Sequence, residues 1–235
     1  MFYKLKKLLK ELLIKYKIYS VKKYNYHELS FSQEGEDRIL ARIFEGQESG
    51  FYIDIGAHHP QRFSNTYLFY LKGWRGINID AMPKSMDIFN SLRPRDINLE
   101  IPISENPELL TYYEFDESAL NTFSLSLAQQ RINQTNYKLI FETQLQSQPL
   151  AQVLDKYLPK DQTIDFLNID VEGLDYQVLI SNNWEKYRPR FVLVEDLDLK
   201  SLNKLNNSKI YSLLQEHSYI LVSKTINTLI FQFND

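Results

Sequence analysis

The stretch Phe51-Tyr52-Ile53-Asp54-Ile55-Gly56-Ala57-His58-His59-Pro60 decides the fold. Its first five residues form a short, β-prone, largely apolar run that a glycine terminates, which reads as a buried strand over 51–55. Upstream, helical spacing predicts a helix over 33–44, followed by a turn at 45–50. Downstream, a helix over 63–72 is closed by Gly73, a second strand over 76–80 ends in Asn78-Ile79-Asp80, and Pro83 opens the next helix. This is a βαβα unit, and it predicts a parallel sheet. A third strand over 97–103 follows Arg93-Pro94-Arg95-Asp96. Further on come a helix from Pro149 to about residue 157, a strand over 164–169, a helix from Leu174 and a strand over 191–194. The runs 219–224 and 228–233 read as a final antiparallel hairpin. Between 104 and 148, two strand-like runs (110–115 and 139–145) flank a polar stretch with no clear period. The expectation is one α/β domain with a mixed sheet over 25–235, carrying an insertion around 104–148.

Composition excludes several classes. The chain has 235 residues, of which 43% are hydrophobic and 14% aromatic, so it can bury a sizeable core and is neither disordered nor a coiled-coil fibre. It has no cysteine, which excludes a disulfide scaffold, a thiolate zinc site and a cysteine nucleophile. The net charge of -3 conceals an asymmetry: residues 1–24 hold eight lysines and one glutamate, leaving an acidic body. An acidic body argues against nucleic acid as a partner, because phosphate binding needs a basic face. Within 1–24, Leu5, Leu8, Leu9, Leu12, Leu13 and Tyr16 recur at helical spacing with lysines opposite, which predicts a basic amphipathic helix. Its lysines forbid a membrane span and it lacks a signal-peptide pattern. Two readings stay open: packing on the domain or on a second subunit of a homo-oligomer, or peripheral contact with an anionic membrane. The expected location is cytoplasmic, at the inner face of a membrane if the arm docks there.

Asp54 and Asp80 end consecutive predicted strands. In open α/β sheets ligands bind outside the carboxyl ends of the strands, and an acid after the second strand can accept both hydroxyls of a ribose. A nucleoside ligand is the expectation. The residues after Gly56 are not the G-x-G-x-x-G of dinucleotide sites, since His58, His59 and Pro60 stand where further glycines would, so a pyrophosphate cradle is disfavoured.

Several runs stand in order along the chain: Ser32-Gln33-Glu34-Gly35-Glu36-Asp37, the quoted stretch to Pro60, Phe63-Ser64-Asn65-Thr66, Gly73-Trp74-Arg75-Gly76, Ile79-Asp80-Ala81, Arg93-Pro94-Arg95-Asp96 and Ile169-Asp170-Val171-Glu172-Gly173. Together they resemble the FkbM family of S-adenosylmethionine-dependent methyltransferases. The resemblance covers about 31–196. It implies a class I methyltransferase (Rossmann-like) fold with a seven-stranded, mostly parallel sheet whose C-terminal strand is antiparallel. It also implies S-adenosylmethionine as cofactor. In the resemblance, Asp54, Gly56 and Ala57 form the loop beneath the methionine part, Asp80 takes the ribose, Ala81 lies beside the adenine and Ser104 reaches the adenine edge. Asn65 and Thr66 would offer donors to the cofactor carboxylate or else cap a helix. Gln33 would close the site, unless Ser32 is simply a helix cap.

The fourth and fifth parallel strands end in Asp170-Val171-Glu172 and Glu195-Asp196. Carboxylates gathered at one sheet edge repel unless protonated or bridged by a cation. Asp170, Glu195 and Asp196 resemble the acid set of magnesium-dependent O-methyltransferases of this fold, which suggests Mg²⁺ or Mn²⁺; the alternative turns Asp170 to the cofactor amine. Methyl transfer needs a base for the acceptor proton, and His59, Glu172 and Asp170 are the catalytic candidates. His58 and His59 read alternatively as loop residues against Trp74. Arg93 and Arg95 offer a fork for an acceptor anion, or surface ion pairs. Tyr112, Tyr113, Asn121 and Thr122, in the insertion, are where acceptor recognition is expected. The functional expectation is an O-methyltransferase acting on a sugar hydroxyl of a glycan or a nucleotide-activated sugar. Its rivals are methylation of another small-molecule oxygen or nitrogen, and a catalytically silent nucleoside-binding or membrane-docking protein.

Overall fold

Strand β1, Phe51–Ile55, is buried along its whole length because helices cover both of its faces. Phe51, Ile53 and Ile55 point into one layer and Tyr52 into the other, following the two-residue repeat of a strand. The computed structural model describes residues 27–234, so the basic arm falls outside the described residues. Around β1 the chain runs through α1 (Glu36–Ile43), α2 (Tyr67–Leu71), β2 (Arg75–Asp80), α3 (Ser85–Leu92) and β3 (Ile97–Glu100). It then leaves the sheet for β4 (Leu109–Phe115), α4 (Leu125–Gln134) and β5 (Leu139–Gln146). It returns through α5 (Leu150–Tyr157), β6 (Phe166–Ile169), α6 (Asp175–Ile180), β7 (Phe191–Glu195), α7 (Lys209–Glu216), β8 (Tyr219–Lys224) and β9 (Thr228–Phe233).

The main sheet has seven strands in the order β3-β2-β1-β6-β7-β9-β8. The first five pair in parallel, and β9 runs antiparallel to both β7 and β8. One layer packs Ile53, Ile55, Leu167 and Val192 against α5, α6 and α7 through Leu150, Val153, Leu179 and Leu214. The other is aromatic: Tyr52, Phe166 and Phe191 meet Leu40 of α1, Phe69 of α2 and Trp74. The segment 104–148 contributes a separate antiparallel ribbon, β4 with β5, and helix α4. Among the described residues no helix is long and apolar enough to cross a membrane.

Several element ends differ from expectation for physical reasons. Helix α1 starts at Glu36 because Gly35 takes a left-handed conformation (φ 89°), which leaves Gln33 outside the helix. Helix α2 starts only at Tyr67: Phe63 is itself left-handed (φ 54°) and the side chains of 64–66 are committed to buried partners. Helix α3 begins after a left-handed Lys84, so Pro83 precedes the helix. Strand β3 stops at Glu100, before Pro102, which has no amide to donate, and Ile103 makes only an isolated bridge to Gln148. The aperiodic stretch of the insertion contains α4, whose N-cap Ser124 accepts from the Leu127 amide. Only Ala128 and Arg131 of that helix are buried, too few to print a helical period.

On the aromatic side, one register row of the sheet is polar. Asn98, Asn78, Asp54 and Asn168 stand side by side on β3, β2, β1 and β6. Asn78 donates to Asn98 (2.8 Å) and Asn168 to Asp54 (2.9 Å). The other Asp54 oxygen accepts from Thr66 Oγ1 (2.7 Å), whose oxygen in turn accepts from Arg93 (2.9 Å). Arg93 is fully buried and also reaches the Tyr52 hydroxyl (2.7 Å) and Asp96 (2.8 Å). It therefore neither grips an acceptor nor sits at the surface. Replacing Arg93 with Met should cost about 3–5 kcal/mol, because Asp54 and Asp96 would lose a buried counter-charge. Lys should recover only part of this, since one ammonium cannot reproduce the guanidinium fork. Urea denaturation measures both, and a loss under about 1 kcal/mol for Arg93→Met would contradict the assignment.

Candidate functional site

The strand order reverses between β1 and β6, and ligands of open parallel sheets bind at such a switch point. A cleft opens there, beyond the carboxyl ends of β2, β1 and β6. Of the residues singled out in the sequence, Gln33, Gly56, His58, Asp80, Ala81, Tyr112, Asn121, Asp170 and Glu172 line it. Gly56 is left-handed (φ 78°), and a Cβ there would run into the Asp170 carbonyl, so only glycine lets the loops after β1 and β6 approach this closely. Asp80 is buried and ties together the loops after β1 and β2: one oxygen accepts from the His58 amide (2.7 Å), the other from the Met82 amide (2.8 Å). Burial raises its pKa, and those two amides oppose the shift.

Gln33 reaches the cleft through a staple at the chain's other end. Glu34 accepts from Thr225 Oγ1, the Asn227 amide and Asn227 Nδ2, and Glu36 accepts from Thr228 Oγ1, so the upstream motif is clamped to the β8–β9 turn. Ser32 accepts from the Gly35 amide and donates to the buried Asp37.

Other candidates lie elsewhere. Asp54 points into the aromatic layer, one residue out of phase with Ile53 and Ile55, and supports the cleft from behind the sheet. Asn65 donates to Asn168 and Thr66 to Asp54, so both side chains are spent inside the polar row and neither caps α2. Ala57 packs with Met86 and Phe89, and Ser104 donates to Glu108; the apolar wall beyond β3 is made instead by Ile101 and Ile103. His59 is not suited to be a base: its Nδ1 accepts from the amides of Gln61 and Arg62, which fixes a loop, and the cleft is lined by His58 instead. Trp74 packs in the aromatic layer among Phe44, Phe69 and Phe166. Arg95 stacks on the Tyr70 ring at 3.9 Å. Tyr113 is buried with Phe115 and Ala128.

The carboxylates regroup. Asp196 turns away from the others: it accepts from the Asp198 and Leu199 amides and from Ser208 Oγ, stopping the chain after β7. Glu172 takes its place, and one oxygen each of Asp170, Glu172 and Glu195 lies within 4.8 Å of the others. The turn carrying Glu172 is held by Asp175, which accepts from the amides of Val171 and Gly173, and by the insertion, where Thr122 donates to the Glu172 carbonyl and Arg131 pairs with its carboxylate. Spacing could not signal Arg131, because α4 prints no period. Burial, with Glu195 and Glu172 close by, pushes the Asp170 pKa well up. Burial and then the charges of Glu172 and Asp175 push Glu195 up to about 9, and Asp175 rises to about 7 chiefly through burial.

A parallel sheet of this order, closed by an antiparallel strand and opening a cleft between β1 and β6, defines a Rossmann-like methyltransferase architecture. The comparison with protein families agrees: a family model for the methyltransferase FkbM domain matches residues 54–221. The chain belongs to the FkbM methyltransferase family. The match starts at Asp54, leaving out 32–37, and runs into β8, beyond the last motif of the sequence resemblance. A search of curated proteins gave no significant match.

Glu195 binds its proton more tightly folded (about 9) than the ordinary 4.5 of an unfolded carboxyl. Its contribution to stability is therefore fully present below about pH 4.5 and is lost as pH rises through about 9. Glu195→Gln should flatten the decline of Tm between about pH 5 and 9 and be more stabilising, relative to wild type, at the alkaline end. Thermal unfolding of the cofactor-free protein in chelator across that range checks this; parallel curves would contradict it.

Proposed function

We propose that the chain is an S-adenosylmethionine-dependent O-methyltransferase whose acceptor is a sugar hydroxyl of a glycan or nucleotide-activated sugar. The observation that carries the reading is the convergence of Gly56, Asp80 and Asp170 on one cleft at the switch point, in a chain of a methyltransferase family. Asp80 holds the ribose hydroxyls, Ala81, Met82, Ile101 and Ile103 wall the adenine, and Gly56 and Asp170 border the methionine part, with Gln33 closing over it. Ser118, Asn121 and an aromatic ring beside them support a polyol acceptor.

Bound S-adenosylmethionine supplies an electrophilic methyl group. The cleft residues would hold the acceptor hydroxyl against that methyl group, and the proton lost from the hydroxyl on transfer would pass to the Asp170–Glu172–Glu195 cluster. Burial gives all three carboxyls a raised proton affinity, to which neighbouring charges add at Asp170 and Glu195, and His58, held neutral by burial and by Arg62 with a pKa of about 4, adds no charge. A hard divalent cation, Mg²⁺ or Mn²⁺, fits the same three acids, because Glu195 Oε2 is buried with no hydrogen-bond partner among the described residues. Such an ion would acidify the acceptor hydroxyl. Exhaustive chelation separates the two: unchanged turnover assigns the cluster to protons, and loss restored by Mg²⁺ or Mn²⁺ assigns it to the ion.

Calorimetry with S-adenosylhomocysteine and transfer of labelled methyl to a panel of nucleotide sugars, glycans and small acids test the reading. Asp80→Ala should lose on the order of 1.5–3 kcal/mol in affinity for S-adenosylhomocysteine while staying folded. Absence of binding by the wild-type protein overturns the cofactor, and transfer confined to non-sugar acceptors overturns the sugar. The basic arm is proposed to dock on anionic membrane: vesicles rich in phosphatidylserine should co-sediment the full chain and not a chain lacking residues 1–24. Equal sedimentation of both would refute that docking.

A further inference from the structure

We infer that Phe63 is the acceptor-side platform of the cleft, an aromatic face on which the C–H face of a pyranose ring lies while its hydroxyls meet the polar groups around it. This rests on the sugar-methyltransferase reading above and names the residue that makes the cleft select a sugar.

Two independent features single Phe63 out. It lines the cleft yet is 41% exposed, so its ring is not placed there to fill the core. Its backbone is left-handed (φ 54°), a conformation that costs a bulky L-residue free energy and that glycine adopts without strain. The same is true of His58 (φ 51°), so strained non-glycine residues stand at both ends of the 58–63 loop, and both line the cleft. Strain held at an exposed aromatic is retained for what the ring does at the surface, since burial does not offset it.

The ring is also prevented from swinging away. The Arg62 guanidinium lies 4.3 Å from its centroid and is itself forked onto Glu117 by two hydrogen bonds (2.9 and 3.1 Å). Glu117 caps the turn that carries Ser118 and Ala119, which also line the cleft, so one ion pair joins the Phe63 loop to the insertion. His58 stacks near-parallel to the ring (22°, 6.3 Å), and its Nε2 is buried with no hydrogen-bond partner among the described residues. An apolar face in a cleft also lined by the His58 imidazole and by Ser118 matches the two-sided chemistry of a pyranose, with apolar C–H groups on one face and hydroxyls on the rim.

The test uses the full chain saturated with S-adenosylhomocysteine. The probes are methyl β-D-glucopyranoside and methyl α-D-mannopyranoside, with glycerol as the acyclic control, read by saturation-transfer NMR and titration. Wild type should bind a pyranoside in preference to glycerol, with upfield ring-current shifts of the sugar C–H protons. Phe63→Leu should weaken this roughly tenfold and remove the shifts, and Phe63→Trp should keep both. S-adenosylhomocysteine affinity should stay within about twofold in each variant. Phe63→Gly relieves the backbone strain, so it should lose pyranoside binding with little change in Tm; that pattern separates a platform from a packing residue. Pyranoside binding that survives Phe63→Leu, or a parallel loss of S-adenosylhomocysteine affinity, overturns the inference and leaves the sugar-methyltransferase reading standing. A wild-type protein that binds S-adenosylhomocysteine but neither pyranoside overturns the inference together with the sugar acceptor.

Discussion

The fold depends on one fully buried arginine. Arg93 leaves the end of α3 and bonds to Tyr52, Thr66 and Asp96, and through Thr66 it reaches Asp54. Those partners belong to β1, to the segment before α2 and to the turn before β3, and Asp96 in that turn also accepts from the Gly76 amide and Asn78 of β2, so the guanidinium and its Asp96 partner together tie the first three strands to one another. A charge of this kind is costly to bury alone and is tolerated because its forked donors each find an oxygen. Burial works against the charge, and the oxygens of Tyr52, Asp96 and Asp54 more than restore it. The polar row Asn98-Asn78-Asp54-Asn168 extends the same network across four strands. Slipping any of these strands by one residue would drive an amide or carboxylate of the row into the opposite, aliphatic layer, where apolar side chains offer no partner. The network therefore specifies register, and register is what brings Gly56, Asp80 and Asp170 to one edge.

The strands of the parallel half were legible because both covering layers are apolar. Runs such as Phe51-Tyr52-Ile53 and Phe166-Leu167-Asn168-Ile169 print as strands whichever layer each residue faces. What spacing could not show is which layer a polar residue enters. Asp54 looked like a ligand of the cleft because it precedes Gly56, yet the pleat sends it behind the sheet. Asn65, Thr66 and Arg93 were misplaced for the same reason: apart from Asp96 beside Arg93, the partners that bury them are more than ten residues away in the chain. Asp80 and Gly56 were easier to place, since each follows or ends a strand at the edge itself. Asp196 against Glu172 is a subtler case. A pair of adjacent acids after β7 looks equivalent in sequence, but consecutive residues diverge by their backbone geometry, and Asp196 is consumed by the amides that stop the chain.

The insertion is more than a loop added to a sheet. Its exposed apolar residues Leu125 and Ile132 on α4, with only Ala128 and Arg131 buried, hid that helix from a reading based on apolar periodicity. Yet its polar residues act on the site: Thr122 and Arg131 hold the Glu172 turn, Glu117 holds Arg62, and Tyr112 and Asn121 line the cleft. At the opposite end of the chain, Glu34 and Glu36 bind the β8–β9 turn and so bring Gln33 over the same opening. The edge of the parallel sheet supplies the floor of the cleft, and two segments outside that sheet supply its walls. This division lets the floor be rigid while the walls differ in what they admit.

The acid cluster acquires a clear role once charge is followed through the proposed reaction. A sulfonium cofactor held in the cleft would favour ionised carboxylates at Asp170 and its neighbours against their mutual repulsion. With that cation neutralised by methyl transfer, the proton affinity of the cluster would rise as a proton has to be taken up. Arg131 pairs with Glu172 and opposes the upward shift that burial gives its carboxyl, whereas like charges add to the shift at Asp170 and Glu195, so the proton would go to one of those two. The loss of one positive charge on the cofactor would be matched by one proton gained at a carboxylate, so the cleft would keep the same net charge before and after transfer. Little reorganisation is then required of the surrounding dipoles, the condition under which a buried site assists charge transfer most.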